Sequence, residues 1–299
     1  MTSGRFVSIG EAMLELSEGA SDGWALNVAG DTLNTAWYLR KRLGPEWEVD
    51  YVTRVGTDAF SDRIVSFLGQ SGLGAGHVAR DPDRGPGLYA ISLTEGERSF
   101  TYWRSQSAAR HLADDEEALD AAMSGATMLY LSAITLAILA PERREALLDR
   151  AAASGVPLAY DPNFRPRLWE SPDAARDWTT LAARQSQIVL PSADDEAACF
   201  GDASPEATAD RYEALGTAEV VVKTGGGPVL VRGTERAEVT DLPRVTPVDT
   251  TGAGDSFNAG YLAARLMGQS PIEAVRAGHD VASRVVQGRG ALVPLDSPP

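Results

Sequence analysis

The residues from Asp249 to Asp255 read D-T-T-G-A-G-D and lead directly into a stretch of helical composition, SFNAGYLAARL. Glycine lets the main chain approach a ligand closely, and the N–H groups at a helix start, with the helix dipole, bind anions. Gly252, Ala253 and Gly254 would present such groups to a phosphate. A carboxylate beside an anion site suits a base that takes a proton from an attacking hydroxyl. The pattern therefore predicts phosphoryl transfer, with Asp255 as the base.

Simpler interpretations of this turn also exist. Asp255 could be only the N-cap of the helix, and the turn alone leaves that alternative open. The chain has no G-x-x-x-x-G-K-[ST] motif, which excludes a P-loop enzyme. The GLGAG segment at 72–76 looks like a dinucleotide-binding turn, but no strand precedes it and no helix follows it. We expect a connecting loop there.

The elements that must position the turn alternate along the chain. Short apolar runs predict strands at 51–56, 128–134, 156–162, 186–192 and 218–225. Amphipathic stretches, several beginning with Pro or Asp, predict helices at 31–43, 58–69, 141–154, 172–184, 205–215, 255–267 and 271–287. Such alternation predicts an α/β fold with a mostly parallel sheet covered on both faces. Ligands then bind beyond the carboxyl ends of the strands.

Two segments, 12–30 and 86–104, have strand periodicity instead. The second contains TEGE at 94–97, a tight-turn signal, which predicts a β-hairpin. Together the segments predict a small additional sheet that forms a lid over the main domain, with an edge of the main sheet as the alternative. We expect the whole chain, 1–299, to form one domain.

The composition limits partners and location. The 299 residues carry a formal net charge of −15, so neither nucleic acid nor an anionic membrane is expected as a partner. No apolar run is long enough to cross a bilayer, and the start lacks a signal-peptide pattern. The single cysteine, Cys199, cannot form an internal disulfide, and a cytoplasmic location is expected. His77, His111 and His279 are scattered and predict no zinc or iron site.

Two signatures carry a family resemblance. D-T-x-G-A-G-D followed by SFNAGYLAARL resembles the second signature of the ribokinase-like (PfkB-type) carbohydrate kinases, and NVAGDTLNTAWYLRKRLG at 27–44 resembles the first. The resemblance implies a ribokinase-like three-layer α/β/α fold with a small β-sheet lid. It also implies ATP and Mg²⁺ as cofactors, Asp255 as catalytic base, and Gly252, Ala253 and Gly254 as the anion hole.

The first signature would form the sugar end of the site. In AGDTLNTA, Gly30 allows a close approach, while Asp31 and Asn34 offer groups that bind hydroxyls. Asp31 could equally cap the helix that it starts. In the resembled family these positions contact the sugar, so we expect Asp31 to serve both roles.

The basic residues point to the kind of sugar. FTYWRSQSAARHL sets Tyr102 and Arg104 in phase at the end of a lid strand, and YDPNFRPRLW places Arg165 and Arg167 beyond a predicted strand. A lone arginine is usually a surface charge, but the paired donors of arginine match a carboxylate. Two such segments next to aromatic residues predict a small acidic sugar as the substrate.

These segments together resemble the family members that phosphorylate the terminal hydroxyl of 2-dehydro-3-deoxy-D-gluconate. The resemblance implies substrate contacts by Gly30, Tyr89, Tyr102, Arg104, Arg165 and Asp255. Arg165 is the first candidate for the carboxylate or keto end and Arg104 the second, while Tyr89 either covers the sugar or only packs in the hairpin. Fructose, ribose and 2-dehydro-3-deoxygalactonate are alternative substrates on the same fold, and a non-catalytic sugar-binding regulator is a remote alternative.

The nucleotide end is predicted at VVVKTGGGPVLV, a strand, a glycine-rich turn and a second strand. The resemblance implies that Lys223 lies near the phosphates of ATP, that Gly225 and Gly227 lie near the ribose and base, and that Asn258 faces the nucleotide. A plain β-hairpin and a helix-surface amide are the alternatives.

The segment LPSADDEAACFG lies where relatives carry an N-x-x-E motif tied to Mg²⁺ and phosphate, and Ser192 and Asp195 occupy those positions. Because Mg²⁺ keeps much of its hydration shell, Asp195 is a candidate ligand through water and Ser192 a candidate nucleotide contact. The alternative is a charged helix start that is favourable with the dipole. Exposed lid strands in this fold often pair between subunits, which favours a homo-oligomer through the lid; the alternative is a monomer that protects its own sheet edges.

Overall fold

The computed structural model describes residues 3–18, 23–94 and 97–295. The strands of that part are β1 Gly4–Ile9, β2 Met13–Glu18, β3 Trp24–Ala29, β4 Trp47–Val55, β5 Val78–Arg80, β6 Gly87–Thr94, β7 Glu97–Trp103, β8 Met128–Ser132, β9 Leu158–Asp161, β10 Ile188–Val189, β11 Glu219–Val222, β12 Val229–Arg232 and β13 Ala237–Val239. Its α-helices are α1 Asp31–Arg42, α2 Ala59–Gln70, α3 Glu116–Met123, α4 Ala133–Ile138, α5 Pro141–Ala153, α6 Pro172–Gln185, α7 Ala193–Phe200, α8 Pro205–Ala214, α9 Ala253–Leu266 and α10 Pro271–Val285. Short 3-10 turns lie at Ala108–His111 and Pro166–Leu168.

A nine-stranded sheet forms the centre of the molecule, in the order β13-β12-β11-β10-β9-β8-β1-β4-β5. Every neighbouring pair from β11 to β5 is parallel, and β12 and β13 extend the sheet antiparallel. The predicted mostly parallel sheet is therefore confirmed. The carboxyl ends of its strands meet at one edge, where ligands of such sheets bind.

Alternate residues of the central strands pack on opposite faces. In β8, Met128 and Tyr130 join one hydrophobic core, whereas Leu129 and Leu131 join the other. The first core includes residues of α1, α9 and α10, and the second includes residues of α3 to α8. A parallel sheet buried on both faces needs such unbroken apolar strands. The predicted three-layer α/β/α arrangement is confirmed.

Local capping explains where the predicted helices begin. Ser171, Ser204 and Ser270 each accept a hydrogen bond from a backbone N–H of the first turn, and proline follows each of them at the first helical position. Ser270 and Glu273 complete a capping box. All seven predicted helices begin and end within two residues of their observed bounds.

A second sheet of four strands, in the order β3-β2-β6-β7, stands apart from the main sheet. We call it the lid sheet. The β6–β7 hairpin predicted for 86–104 is confirmed by antiparallel pairing from Leu88 with Trp103 to Thr94 with Glu97. Residues 95 and 96 of the predicted turn lie outside the described residues. The alternative of an edge of the main sheet is wrong, while the function of a lid and the single domain remain predictions.

Several smaller expectations can be compared with the structure. Cys199 is buried in the second core, as predicted for a small apolar side chain. Residues 72–76 form a loop that touches the main sheet through one bridge between Asp50 and Gly74. The strand predicted at 128–134 ends at Ser132, because the Ser132 hydroxyl accepts a hydrogen bond from Thr135 N and starts α4. No helix of the described residues has the length and apolar character that crossing a membrane requires.

Candidate active site

A cavity of about 940 Å³ lies at the carboxyl edge of the main sheet and under the lid sheet. It brings together most of the predicted site residues, from segments far apart in the sequence. The predicted residues that line it are Gly30, Asp31, Asn34, Tyr89, Tyr102, Arg104, Arg165, Ser192, Asp195, Lys223, Gly252, Ala253, Gly254 and Asp255. Gly225 and Gly227 line an adjoining cavity, and Asn258 lines neither.

The glycine turn has the geometry of a helix-start anion site. Gly252 is the N-cap of α9 and has a left-handed φ of 74°. A Cβ at Gly252 would also lie 2.8 Å from the Ala291 carbonyl oxygen, so this position favours glycine twice. The Ala253 N–H was predicted to face a phosphate, but it donates to the Thr250 carbonyl at 3.2 Å. Among the described residues, the N–H groups of Gly252 and Gly254 have no such acceptor and remain available to an anion.

Asp255 lies in the first turn of α9, and it is not the N-cap. Its Oδ2 accepts a hydrogen bond from Asn34 Nδ2 at 2.8 Å. The same Asn34 accepts from the Gly30 N–H at 3.3 Å through its Oδ1. The first signature therefore orients the carboxylate of the second, and the N-cap alternative for Asp255 is wrong.

The surroundings of Asp255 hold its carboxyl at a protonation state suited to a base. Its pKa is raised from 3.8 to about 7, chiefly by burial and also by the negative charges of Asp31 and Asp161. The hydrogen bond from Asn34 and the charge of Lys223 act in the opposite direction. A base with a pKa near the working pH combines a useful deprotonated fraction with strength as a proton acceptor.

This pKa predicts an acid limb in the pH profile of the free enzyme. Because only the deprotonated carboxyl accepts a proton, kcat/KM should fall about tenfold per pH unit below pH 7 and level off above it. Steady-state rates between about pH 5 and pH 9 measure the profile. A flat profile across this window would contradict Asp255 as the titrating base.

The Asp255 carboxyl also makes the free energy of unfolding depend on pH. Since the carboxyl binds its proton more tightly when folded, stability should fall as pH rises from 3.8 to about 7. Asp255→Asn removes this contribution, so its melting temperature should decline less than that of the wild type between about pH 5 and pH 8. Parallel declines in thermal melts would show that Asp255 does not titrate in the folded protein.

At the sugar end of the cavity, the backbone at Gly30 passes close to the backbone at Glu11. A Cβ at Gly30 would lie 2.3 Å from the Glu11 carbonyl oxygen. Gly30, and not Asp31, is the N-cap of α1, so the capping role expected for Asp31 is wrong. Asp31 instead accepts hydrogen bonds at Oδ2 from the Ser132 hydroxyl and from Asn163 Nδ2, the latter at 3.2 Å. Burial is the largest influence on the Asp31 carboxyl and raises its pKa.

The close crossing predicts that Gly30→Ala is destabilising. Backbone surrounds the position, so relief requires strands to move, and we expect a loss of about 1–3 kcal/mol with a lower kcat/KM. Gly69→Ala is a matched control, because nothing lies within 4 Å of its Cβ position in α2. Alanine at that helical site should leave stability unchanged or raise it by up to about 1 kcal/mol. Equal denaturation midpoints for the two variants would contradict the crowding at Gly30.

Aromatic rings and one paired arginine form the lid side of the cavity. Tyr89 and Tyr102 face each other across β6 and β7, with ring centroids 5.7 Å apart. Tyr89 also donates a hydrogen bond from its hydroxyl to buried Glu15. Arg104 forms an ion pair with Glu11, whose side chain is almost fully buried. The charge of Arg104 is therefore already compensated inside the protein.

Arg165, in contrast, keeps most of its donors available. Its side chain is 51% exposed, and Nη1 donates to the Phe164 carbonyl at 2.7 Å and lies 3.5 Å from Asp195 Oδ2. Arg167 is exposed in the following 3-10 turn and does not line the cavity. Of the arginines considered, Arg165 is thus the one best placed for an acidic group in the cavity.

The adjoining cavity, of about 570 Å³, shares Ser192, Lys223 and Gly254 with the first. Its mouth includes the turn between β11 and β12, where Gly225 has a left-handed φ of 63°. Apolar side chains, including Val229, Phe257, Ala282 and Val286, line its wall and suit a flat ring. His279 also lines this wall and is hydrogen-bonded to the Pro243 carbonyl at 2.7 Å, a placement that the sequence analysis missed.

A buried network lies between the two cavities. Lys223 Nζ donates to Asp161 Oδ2 at 3.3 Å and to Asn258 Oδ1 at 3.0 Å. Asn258 Nδ2 in turn donates to Asp161 at 2.6 Å and to the Tyr130 hydroxyl at 3.1 Å. Asn258 is fully buried, so the structure places it beneath Lys223 and not against a nucleotide. The surface-amide alternative is therefore wrong. Asn258 lines neither cavity, as a nucleotide contact would require, and instead supports Lys223.

The acidic segment offers oxygen ligands for a hydrated cation. Ser192 is the N-cap of α7 but makes no capping hydrogen bond with its side chain, and Asp195 lines the same cavity. Burial raises the pKa of Asp195, while the Arg165 guanidinium lowers it. The described residues contain no cluster of three acidic, His or Cys ligands that would enclose a metal. A hydroxyl and a carboxylate, the donors of Ser192 and Asp195, would suit Mg²⁺ that keeps most of its water.

Comparison with known proteins identifies the family of the chain. The profile of the pfkB family carbohydrate kinases matches residues 5–298. The chain is 39% identical to the 2-dehydro-3-deoxygluconokinase of Dickeya dadantii along the whole of both proteins, and 39% identical to that of Escherichia coli K12, with 97% of each protein covered. The crystal structure of a PfkB protein from Polaromonas superposes with a TM-score of 0.83 at 29% identity, covering 96% of this chain and 97% of that one.

The matched span includes both signatures, the lid sheet and the two cavities. The match therefore extends over both sheets and both cavities and is not limited to one motif. This chain belongs to the pfkB family of carbohydrate kinases.

Proposed function

We propose that this protein transfers the γ-phosphoryl group of ATP to the terminal hydroxyl of 2-dehydro-3-deoxy-D-gluconate, giving the 6-phosphate and ADP. The observation that carries the proposal is a half-exposed Arg165 in the same cavity as the partly buried Asp255, the proposed base. A guanidinium with unused donors matches the carboxylate of an acidic sugar. The relatives named 2-dehydro-3-deoxygluconokinase, 39% identical along the chain, support the same substrate.

In the proposed reaction, Asp255 accepts the proton of the sugar hydroxyl while its oxygen forms a bond to the γ-phosphorus. The bond from that phosphorus to the bridging oxygen breaks, and ADP leaves with the electron pair. The Gly252 and Gly254 N–H groups stabilise charge on the transferring group, and Lys223 interacts with the phosphates. Hydrated Mg²⁺, held near Ser192 and Asp195, would supply further charge neutralisation.

The aromatic side of the lid sheet gives the site a way to exclude water. Phe100 and Tyr102 line the cavity yet are 39% and 49% exposed. A sugar between these rings and the sheet edge would cover them, and closure would prevent hydrolysis of ATP. The lid is therefore part of the proposed mechanism.

The test is a coupled ADP-release assay with MgATP and five acceptors: 2-dehydro-3-deoxygluconate, its galactonate epimer, fructose, ribose and gluconate. A strong preference for 2-dehydro-3-deoxygluconate supports the proposal. Preference for fructose or ribose would retain the phosphoryl-transfer chemistry and overturn the acidic substrate. No turnover with any acceptor would favour a sugar-binding regulator.

We also propose that lid sheets pair in a homo-oligomer. The two edge strands, β3 and β7, expose Trp24 and Trp103 to 51% and 56%. Exposed strand edges and large apolar side chains are typical of association surfaces. Light scattering after size exclusion should give twice the 31.7 kDa mass of one chain, and Trp103→Lys should shift it to one chain. A wild-type mass of one chain at micromolar concentration would contradict the pairing.

A further inference from the structure

Asn163 has a backbone conformation that stands out in the main chain. Its φ is +25°, and no other non-glycine residue of the described segments has a positive φ. Asparagine tolerates this region better than most residues, but the conformation still costs free energy. Asn163 is 9% exposed and lines the main cavity. Such strain persists where surrounding contacts enforce it, often at functional sites.

Two hydrogen bonds hold Asn163 between the sugar and nucleotide ends. Its side-chain Nδ2 donates to Asp31 Oδ2 at 3.2 Å, and its backbone N–H donates to Asp161 Oδ1 at 3.1 Å. The other oxygen of Asp161 accepts from Lys223 Nζ at 3.3 Å. A continuous path of three hydrogen bonds therefore joins a carboxylate at the sugar end to an ammonium that lines both cavities.

The short segment 161–165 thus serves both ends of the active site. Asp161 holds Lys223, Asn163 holds Asp31, and Arg165 faces the cavity two residues further on. The strained residue lies in the middle of these three. The three side chains depend on one backbone conformation. A ligand that fixes this conformation at one end of the site lowers the conformational entropy that the second ligand must lose on binding.

We propose that Asn163 is a positioning residue that couples the two substrates, so that binding of either one raises the affinity for the other. The inference rests on the proposed function for the identity of the ligands. Linkage requires the coupling to be reciprocal, and it is measured as the ratio of sugar dissociation constants without and with nucleotide. Asn163 itself touches neither reacting atom in this role.

The experiment is a binding cycle by calorimetry. The Kd of 2-dehydro-3-deoxygluconate is measured alone and with saturating AMP-PNP and Mg²⁺, for the wild type, Asn163→Gly, Asn163→Ala and Arg167→Ala. We expect a wild-type ratio of at least about fivefold. Asn163→Gly and Asn163→Ala should bring it close to one. Arg167→Ala, in the same loop but outside the cavity, should keep the wild-type ratio.

Asn163→Gly separates coupling from folding, because glycine adopts the left-handed conformation without strain. Its thermal stability should equal or exceed that of Asn163→Ala. Its ratio of sugar dissociation constants without and with nucleotide should still be close to one. A wild-type ratio in Asn163→Gly, or independent binding in the wild type, overturns the proposal. Turnover on the five acceptors tests the proposed function separately, and the acceptor phosphorylated fastest is the ligand in the cycle. A different substrate therefore changes the proposed function and leaves the coupling test intact.

Discussion

Asp255→Asn should lower kcat by about three orders of magnitude and change KM little, because general-base catalysis commonly contributes 10²–10⁴-fold. The amide has nearly the same shape as the carboxylate, so the packing of α9 and the cavity should be preserved. It cannot accept the hydroxyl proton. The remaining rate would come from the glycine turn, Lys223 and the alignment of the substrates.

Two measurements make this result specific. Asp280→Asn is a matched control, because Asp280 is an exposed aspartate of α10 whose partner is Arg284, and it should keep wild-type kcat. Asp255→Asn should also be more stable than the wild type above pH 7, since it removes a charge whose burial is unfavourable. Turnover within tenfold of the wild type would exclude Asp255 as the base, whatever the change in stability.

The parts of the fold predicted from sequence are those set by neighbouring residues. Helices beginning with Ser-Pro, such as α6, α8 and α10, carry their own start signals, and the glycine turn before α9 is a local motif. The short helices α3 and α4 and the first strand β1 were not predicted. Helix α4 is buried and only six residues long, so an apolar run there looks like a continuation of β8.

The unpredicted parts of the site are contacts across long sequence separations. Glu11 meets Arg104 across 93 residues, and Asp161 meets Asn258 across 97. Neither acid lies in a recognisable motif for its partner, so only the folded sheet brings them together. The family resemblance implies that Asn258, one turn into the helix after Asp255, faces the nucleotide. The helix instead turns its amide inward, toward Tyr130 and Asp161.

The structure distinguishes the two arginines that the sequence predicts for an acidic substrate, Arg104 and Arg165. Both arginine-bearing segments reach the cavity, as predicted. Arg104 meets a buried carboxylate there, and that ion pair already uses its charge. Among the described residues, the partners of Arg165 are the partly exposed Asp195 at 3.5 Å and a carbonyl of its own loop. We therefore expect recognition of an acidic substrate to depend mainly on Arg165, so its removal should affect acidic and neutral acceptors differently.

Arg165→Ala should lower kcat/KM for 2-dehydro-3-deoxygluconate by about 100-fold, which corresponds to about 2.7 kcal/mol for lost charge-assisted hydrogen bonds. Any activity on fructose should change by less than about threefold, because a neutral sugar offers no carboxylate to the guanidinium. Arg165→Lys should lie between, since an ammonium keeps the charge but loses the paired donors. The measurement is kcat/KM for both acceptors in each variant.

The control for this prediction lies two residues away. Arg167→Ala removes the same charge from the same loop, and its exposed side chain lies outside the cavity, so both acceptors should react as with the wild type. If Arg165→Ala and Arg167→Ala lower activity equally, the effect comes from net charge. If Arg165→Ala lowers activity on both acceptors alike, Arg165 supports the loop and does not bind the carboxylate. Only selective loss of the acidic substrate with Arg165→Ala assigns the carboxylate to this guanidinium, because charge and loop integrity are then held constant.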